Sequence, residues 1–345
     1  MQETWRSAAA PTRPRPIRAG PDGAPGRGRA APRGAAKRAL ARGARPTQSR
    51  TMESVTIRSA ALSATISPEG AELQSLRDAA GRELLWGGDP AVWSGRAPIL
   101  FPIVGSLAGG RYRLGGKSYA LARHGFARRS RFAPVTQGEG EALFRLTDSP
   151  PTHAAYPFPF VLEIRFALAG ATLSIEATLL NPGDAPLPAS FGFHPALRWP
   201  LPYGAARENH IILFDTPEPE PIRRLDGDGL LIAEPQPTPI EGRRLALRDA
   251  LFRDDALILD RPKSRSLWYG AAGTPGVVVR FPAMPQLGLW TKPGAGYLCV
   301  EPWQGLADPQ GFTGDFRDKP GVIAIPGGEA RRFAMTIEVG VDAPG

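Results

Sequence analysis

The sequence predicts an all-β protein, a large antiparallel β-sandwich, on three observations. From Met52 onward apolar residues recur with period two rather than 3.6. Gly, Pro, Asn and Asp interrupt the chain every 8 to 15 residues, and no stretch of 12 or more carries an amphipathic helical stripe. Short strands punctuated this often must pack sheet on sheet to bury their apolar faces.

The elements follow in order. "SVTIRSAALSATISPEGAEL" alternates small, polar and aliphatic residues and breaks at Pro68-Glu69-Gly70, as a hairpin would. "ALFRLTDS" repeats the alternation. The plainest hairpin runs from Phe160 to Leu168, turns at Ala169-Gly170-Ala171, returns through Leu173 to Leu180 and stops at Asn181-Pro182-Gly183. "HIILFD", "LILD", "SLWYG", "GVVVRFP", "LGLWTKP", "YLCVEPW" and "FAMTIEVGV" complete the series. Neither an internal repeat nor a linker follows residue 52, so residues 52–345 are expected to form a single domain. Gly109-Gly110 and Gly115-Gly116 lack the strand-then-helix setting of a nucleotide site and read as turns.

Charge divides the chain. The net +9 comes from residues 1–51, which hold twelve Lys or Arg against Glu3 and Asp22. Of the totals of 42 basic and 33 acidic residues, 30 and 31 remain beyond Thr51, so the globular part is not basic. Residues 1–51 are rich in Ala, Arg, Gly and Pro and poor in aliphatic side chains, too little to offset the entropy of ordering. They are read as a disordered basic extension, with a true start at Met52 or a targeting peptide as alternatives. Nucleic-acid association would rest on this extension alone. No apolar run reaches the ~18 residues that cross a bilayer, so a cytoplasmic protein without membrane contact is expected. The lone Cys299 excludes an internal disulfide and any cysteine-cluster metal site, and it reads as a small hydrophobe in a buried strand.

Chemistry is sought where polar residues sit among apolar ones. Four segments qualify: "GRAPILFPIVG" (95–105), "ARHGFARRS" (122–130), "FGFHPALRWP" (191–200) and "YLCVEPWQGLADPQG" (297–311). His124 and His194 precede Gly125 and Pro195, residues that end strands and leave side chains free to face a cleft. Glu301 follows the apolar run Tyr297–Val300 and precedes Pro302-Trp303, where desolvation raises a carboxyl pKa towards neutrality. His153 and His210 lie in proline-rich or polar surroundings and read as loop or surface residues.

Taken together these segments resemble the aldose 1-epimerase (galactose mutarotase-like) family, in particular its LacX-like branch. "GRAPILFPIVGSLAGGRYRLGGKSYALARHGFAR", "FGFHPAL" and "GLWTKPGAGYLCVEPWQGLAD" carry the likeness, which extends from about residue 55 to 340. The resemblance implies a galactose mutarotase-like supersandwich with a carbohydrate cleft. It implies Glu301 as general base and His194 as general acid, with His124 and Arg96 holding ring and hydroxyl oxygens. Asp255, in "FRDDALILD", resembles a hydroxyl-binding aspartate of the family.

The implied reaction makes chemical sense. Anomer interconversion removes a proton from the C1 hydroxyl and delivers one to the ring oxygen, so a carboxylate and an imidazolium are expected to face one another across a bound monosaccharide. No metal or organic cofactor is needed. Flat apolar surface suits the C–H face of a pyranose: Trp303 is the main candidate platform, with Trp93, Trp199 and Trp290 behind it. The expected partner is a small-molecule sugar, and the expected state a monomer or homodimer. Two alternatives remain: a hexose-6-phosphate mutarotase, with Arg128, Arg129 and Arg131 as a phosphate clamp, and a non-catalytic carbohydrate-binding or sugar-sensing protein.

Overall fold

A computed structural model describes residues 54–344. The expectation for residues 1–51 concerns chain outside the described residues. A nine-stranded antiparallel sheet runs in the spatial order Arg244–Ala246, His210–Phe214, Ser266–Ala271, Gly276–Arg280, Ala330–Val341, Thr172–Leu180, Val161–Ala169, Glu141–Thr147 and Ala133–Gln137. The hairpin read from the sequence lies at its centre, with Thr172 opposite Ala169 and Leu180 opposite Val161. A six-stranded sheet packs against it, ordered Leu257–Leu259, Gln286–Trp290, Tyr297–Gln304, Phe191–Phe193 and Ile99–Leu100, with Ala196–Arg198 also paired to Tyr297–Gln304. The strands Val55–Arg58, Leu62–Ser67 and Glu72–Asp78 form a separate three-stranded sheet.

Alternation explains how the two large sheets meet. Thr172–Leu180 turns Leu173, Ile175, Ala177 and Leu179 inward, each 3% exposed or less. Such burial removes apolar area from water at roughly 25 cal/mol per Å2. The sheets touch where Phe191 stacks on Phe333, ring centroids 4.7 Å apart. That contact is worth about 0.5–1.5 kcal/mol beyond the burial itself.

The strand Tyr297–Gln304 is buried along its whole length, and its two faces do different work. Leu298 and Val300 point into the core between the sheets. Tyr297, Cys299, Glu301 and Trp303 share the opposite face by period two. There they meet an aromatic cluster of Trp86, Trp93 and Trp290 and an apolar wall of Leu100, Val104, Leu225 and Ile258. The polar and aromatic residues that drew attention in the sequence therefore line one side of one sheet.

The described residues include a single α-helix, Pro150–Ala155, capped reciprocally by Ser149 and Thr152. No helix among them is long and apolar enough to cross a membrane. His210, expected at the surface, is buried at 1% exposure. It opens the strand His210–Phe214 on the inward side with Ile212 and Phe214; its Nε2 accepts from the Leu201 amide, and Nδ1 faces the Ala206 carbonyl.

Candidate active site

A cavity of about 210 Å3 opens on that face of the six-stranded sheet, lined by Trp93, Arg123, His124, Arg128, His194, Asp255, Trp290, Glu301 and Trp303 together with small apolar residues. Backbone geometry delivers each side chain. Gly192 and Gly288, on the strands either side of Tyr297–Gln304, leave the space into which the Trp303 ring extends; a Cβ at either would lie 2.7 or 2.5 Å from it. Gly125 is fixed by a close approach: its φ is +74°, and a Cβ there would fall 2.1 Å from the Phe101 carbonyl oxygen. His124 just before it also has a left-handed backbone, φ +66°. This unfavourable conformation for a residue with a Cβ turns the imidazole into the cavity.

His194 and Glu301 form the floor. Nε2 of His194 lies 3.1 Å from Oε2 of Glu301, and both side chains are nearly inaccessible, 8% and 2% exposed. The approach lacks hydrogen-bond alignment, so His194 Nδ1, Glu301 Oε2 and Trp303 Nε1 are buried polar atoms with unused bonding capacity. Trp93 stacks on the His194 ring at 5.2 Å, Trp290 meets it edge-on at 6.0 Å, and His124 lies edge-on at 5.7 Å. This apolar packing sets the electrostatics. Burial pushes the Glu301 carboxyl well above the usual carboxylate range, against the opposing pull of Arg123. Burial, and then the charges of Arg128 and Arg123, lower His194 to about 3. Burial thus favours the neutral form of both groups, which lie 3.1 Å apart.

His124 is likewise held neutral, chiefly by burial and then by His194 and the arginines. The Gly105 amide donates to its Nδ1 at 3.1 Å, and Arg123 Nε donates to Nε2 at 3.3 Å. A neutral imidazole accepts at one nitrogen only. The Gly105 amide and Arg123 Nε therefore compete for that one lone pair. Asp255 reaches the cavity from a left-handed residue, φ +64°, with its Oδ2 3.8 Å from Arg123 Nη2. Arg128, half-buried, makes no hydrogen bond or ion pair among the described residues.

The structure thus brings Glu301, His194, His124, Asp255 and Trp303 to one cavity, along with Trp93 and Trp290. It does not bring Arg96. The Arg96 and Ala97 amides donate to Glu72 Oε1 at 2.8 and 3.0 Å, which ties this segment to the three-stranded sheet, and the Arg96 guanidinium donates to the Gln74 carbonyl at 2.7 Å. Arg123 and Arg128 supply the cavity's guanidinium groups instead. Sequence reasoning missed Arg123, whose only signal was its place immediately before His124. Arg129 and Arg131 do not line the cavity, and Trp199 is buried elsewhere beneath the Arg207 guanidinium, 3.5 Å from its ring.

The pair also differs from expectation in being in contact, which leaves no room for a sugar ring between its members. A ligand must lie over both, against the tryptophans. His194, Cys299 and Glu301 place potential metal-ligand atoms within 4.8 Å of one another. Burial holds the Cys299 thiol protonated, well above its usual range.

The six-stranded sheet of this β-sandwich thus carries a buried histidine–glutamate pair at the floor of a tryptophan-walled cavity. Residues 53–313 match the family described as Aldose 1-epimerase. The protein LacX of Lactococcus lactis subsp. lactis (chromosomal) is 32% identical over 266 residues, which cover 74% of this chain and 89% of LacX. The chain belongs to the aldose 1-epimerase family. Among solved structures it is similar to a galactose mutarotase related enzyme from Lactobacillus acidophilus, with a TM-score of 0.76 and 29% identity over 84% of this chain and 98% of that one. It is also similar to a galactose mutarotase-like protein from Lactobacillus casei ATCC 334, with a TM-score of 0.77 and 27% identity over 83% of this chain and all of the other.

Proposed function

We propose that the protein is an isomerase, an aldose 1-epimerase that interconverts the α and β anomers of a free hexose in the cytoplasm. The observation that carries this reading is the contact between His194 and Glu301 on the floor of a tryptophan-walled cavity. A hexose lying over the pair stacks its C–H face on Trp303 or Trp93, while Asp255, Arg123 and the His124 imidazole take its hydroxyls. In the reacting state the proton has moved from Glu301 to His194, and the Arg123 guanidinium stabilises the carboxylate left behind. The carboxylate then takes the C1 hydroxyl proton as the imidazolium protonates the ring oxygen, and the C1–O5 bond breaks to give the open aldehyde. Rotation about C1–C2 presents the other carbonyl face. The same two groups, now in reversed roles, close the ring. Each positioned acid or base contributes about 100- to 10,000-fold.

One specific observation favours a second reading, the hexose-6-phosphate. Arg123 and Arg128 both line the cavity, and Arg128 forms no ion pair among the described residues. Guanidinium groups match phosphate oxygens in paired geometry.

NMR exchange spectroscopy between anomers, on a panel of free and 6-phosphorylated aldoses, tests both readings. Catalysed exchange of a neutral hexose supports the first; selective exchange of a phosphorylated one supports the second. Sugar binding without exchange above the buffer rate supports a sugar-sensing protein and overturns both.

A further inference from the structure

The strongest observation outside the described machinery is a buried arginine that forms no ion pair among the described residues. Arg224 is 7% exposed, and its guanidinium donates only to backbone carbonyls: Nη1 to Asp255 at 3.0 Å and Ala256 at 3.2 Å, Nη2 to Leu251 at 2.9 Å. These three carbonyls belong to the turn that sets Asp255 in its left-handed conformation. Such a conformation is unfavourable for a residue with a Cβ and persists only where its surroundings enforce it. The Ala256 amide, which donates to Asp255 Oδ1 at 2.8 Å, completes the turn. Neighbouring backbone binds the same segment to the site: Arg223 and Ile258 exchange amide–carbonyl bonds at 2.7 and 3.2 Å, and Leu225 lines the cavity.

We propose that Arg224 is a positioning residue, a buried clamp that holds the 251–256 turn so that Asp255 presents its carboxylate to the cavity and to Arg123. It touches no ligand itself. Its effect on sugar affinity rests on the hydroxyl-binding role proposed for Asp255, whereas its effect on the turn does not. The clamp is suited to this task because a guanidinium spreads several donors in one plane and reaches three carbonyls at once, which an ammonium cannot do in the same geometry.

The test compares Arg224→Met, Arg224→Lys, Asp255→Ala and the double variant Arg224→Met/Asp255→Ala in the full chain. Two readouts are used: the KM and kcat of anomer exchange, and hydrogen exchange at the Ala256 amide. The expected result is that Arg224→Met raises KM about tenfold, as Asp255→Ala does, leaves kcat within about threefold, and speeds Ala256 exchange at least about tenfold. Arg224→Lys recovers part of both effects, and the double variant binds no worse than Asp255→Ala alone. A folded Arg224→Met or Arg224→Lys protein with unchanged Ala256 exchange overturns the proposal, as does a double variant whose KM effects multiply. If Asp255→Ala leaves KM unchanged while Arg224→Met still loosens Ala256, the hydroxyl-binding role fails and the clamp stands.

Discussion

Replacing Gly288 by alanine should unseat Trp303, the aromatic wall beside Glu301. The added Cβ would lie 2.5 Å from Trp303 Cη2 and 2.6 Å from Cζ2, against the 3.5–4.0 Å of ordinary carbon contacts, so the ring must retreat by about 1 Å. It cannot retreat across the sheet, because on the far side its Cδ1 already occupies the space of a Cβ on Gly192, with Leu100 and Val104 packed behind. Overpacking of this kind costs about 1–3 kcal/mol. At about 2–4 °C per kcal/mol for a domain of this size, Gly288→Ala should lower the melting temperature by about 2–12 °C. Circular dichroism melts, checked by guanidinium titration, measure the loss. A smaller side chain should relieve it: adding Trp303→Leu to Gly288→Ala should give a double variant at least about 0.5 kcal/mol more stable than the two single losses added together. A Gly288→Ala protein that melts within 1 °C of the parent, or strictly additive losses, would refute the packing argument.

Four further outcomes follow from the same geometry. Lys319 and Asp308 form a buried ion pair at 2.7 Å, 1% and 4% exposed, so Lys319→Met should destabilise by about 3–5 kcal/mol in chemical denaturation by leaving Asp308 uncompensated. Anomer exchange should fall as pH rises through the raised pKa of Glu301, because the pair then loses its one proton; an acid limb appears only near pH 3, where His194 is also protonated. The linked stability runs in the same direction for Glu301: a raised folded pKa stabilises fully below the ordinary value of 4.5 and less as pH climbs, so Glu301→Gln should gain on the parent in alkaline melts. Trp93→Ala uncovers one face of the His194 ring and should move its pKa upward from about 3, read from imidazole NMR titration, while raising the KM for sugar.

Much of this was legible before any coordinates, for identifiable reasons. Period-two alternation marks strands because successive side chains face opposite ways, and in 297–304 it separates Leu298 and Val300 from Tyr297, Cys299, Glu301 and Trp303. His210 shows the same rule overlooked: its polar neighbours Arg207, Glu208 and Asn209 suggested a loop, but it falls in step with the buried Ile212 and Phe214. Arg96 was not readable, because its course is set by Glu72 and Gln74, more than twenty residues earlier on a different sheet. Arg123 escaped for the converse reason. Only the left-handed backbone at His124 reveals that its neighbour also reaches the cavity, and a non-glycine left-handed residue has no reliable mark in sequence. The direct contact of His194 with Glu301 depends on the pairing of 191–192 with 303–304 and of 196–198 with 297–299, which alternation alone does not specify.

The central claim is that Glu301 and His194 act as one proton-carrying unit on a sugar. Anomer exchange measured by NMR in the parent, Glu301→Gln, His194→Asn and the double variant tests it most directly. The account predicts at least about 100-fold loss in each single variant and little further loss, within about tenfold, in the double. Parent-level exchange in Glu301→Gln, or single losses that multiply in full, would contradict it.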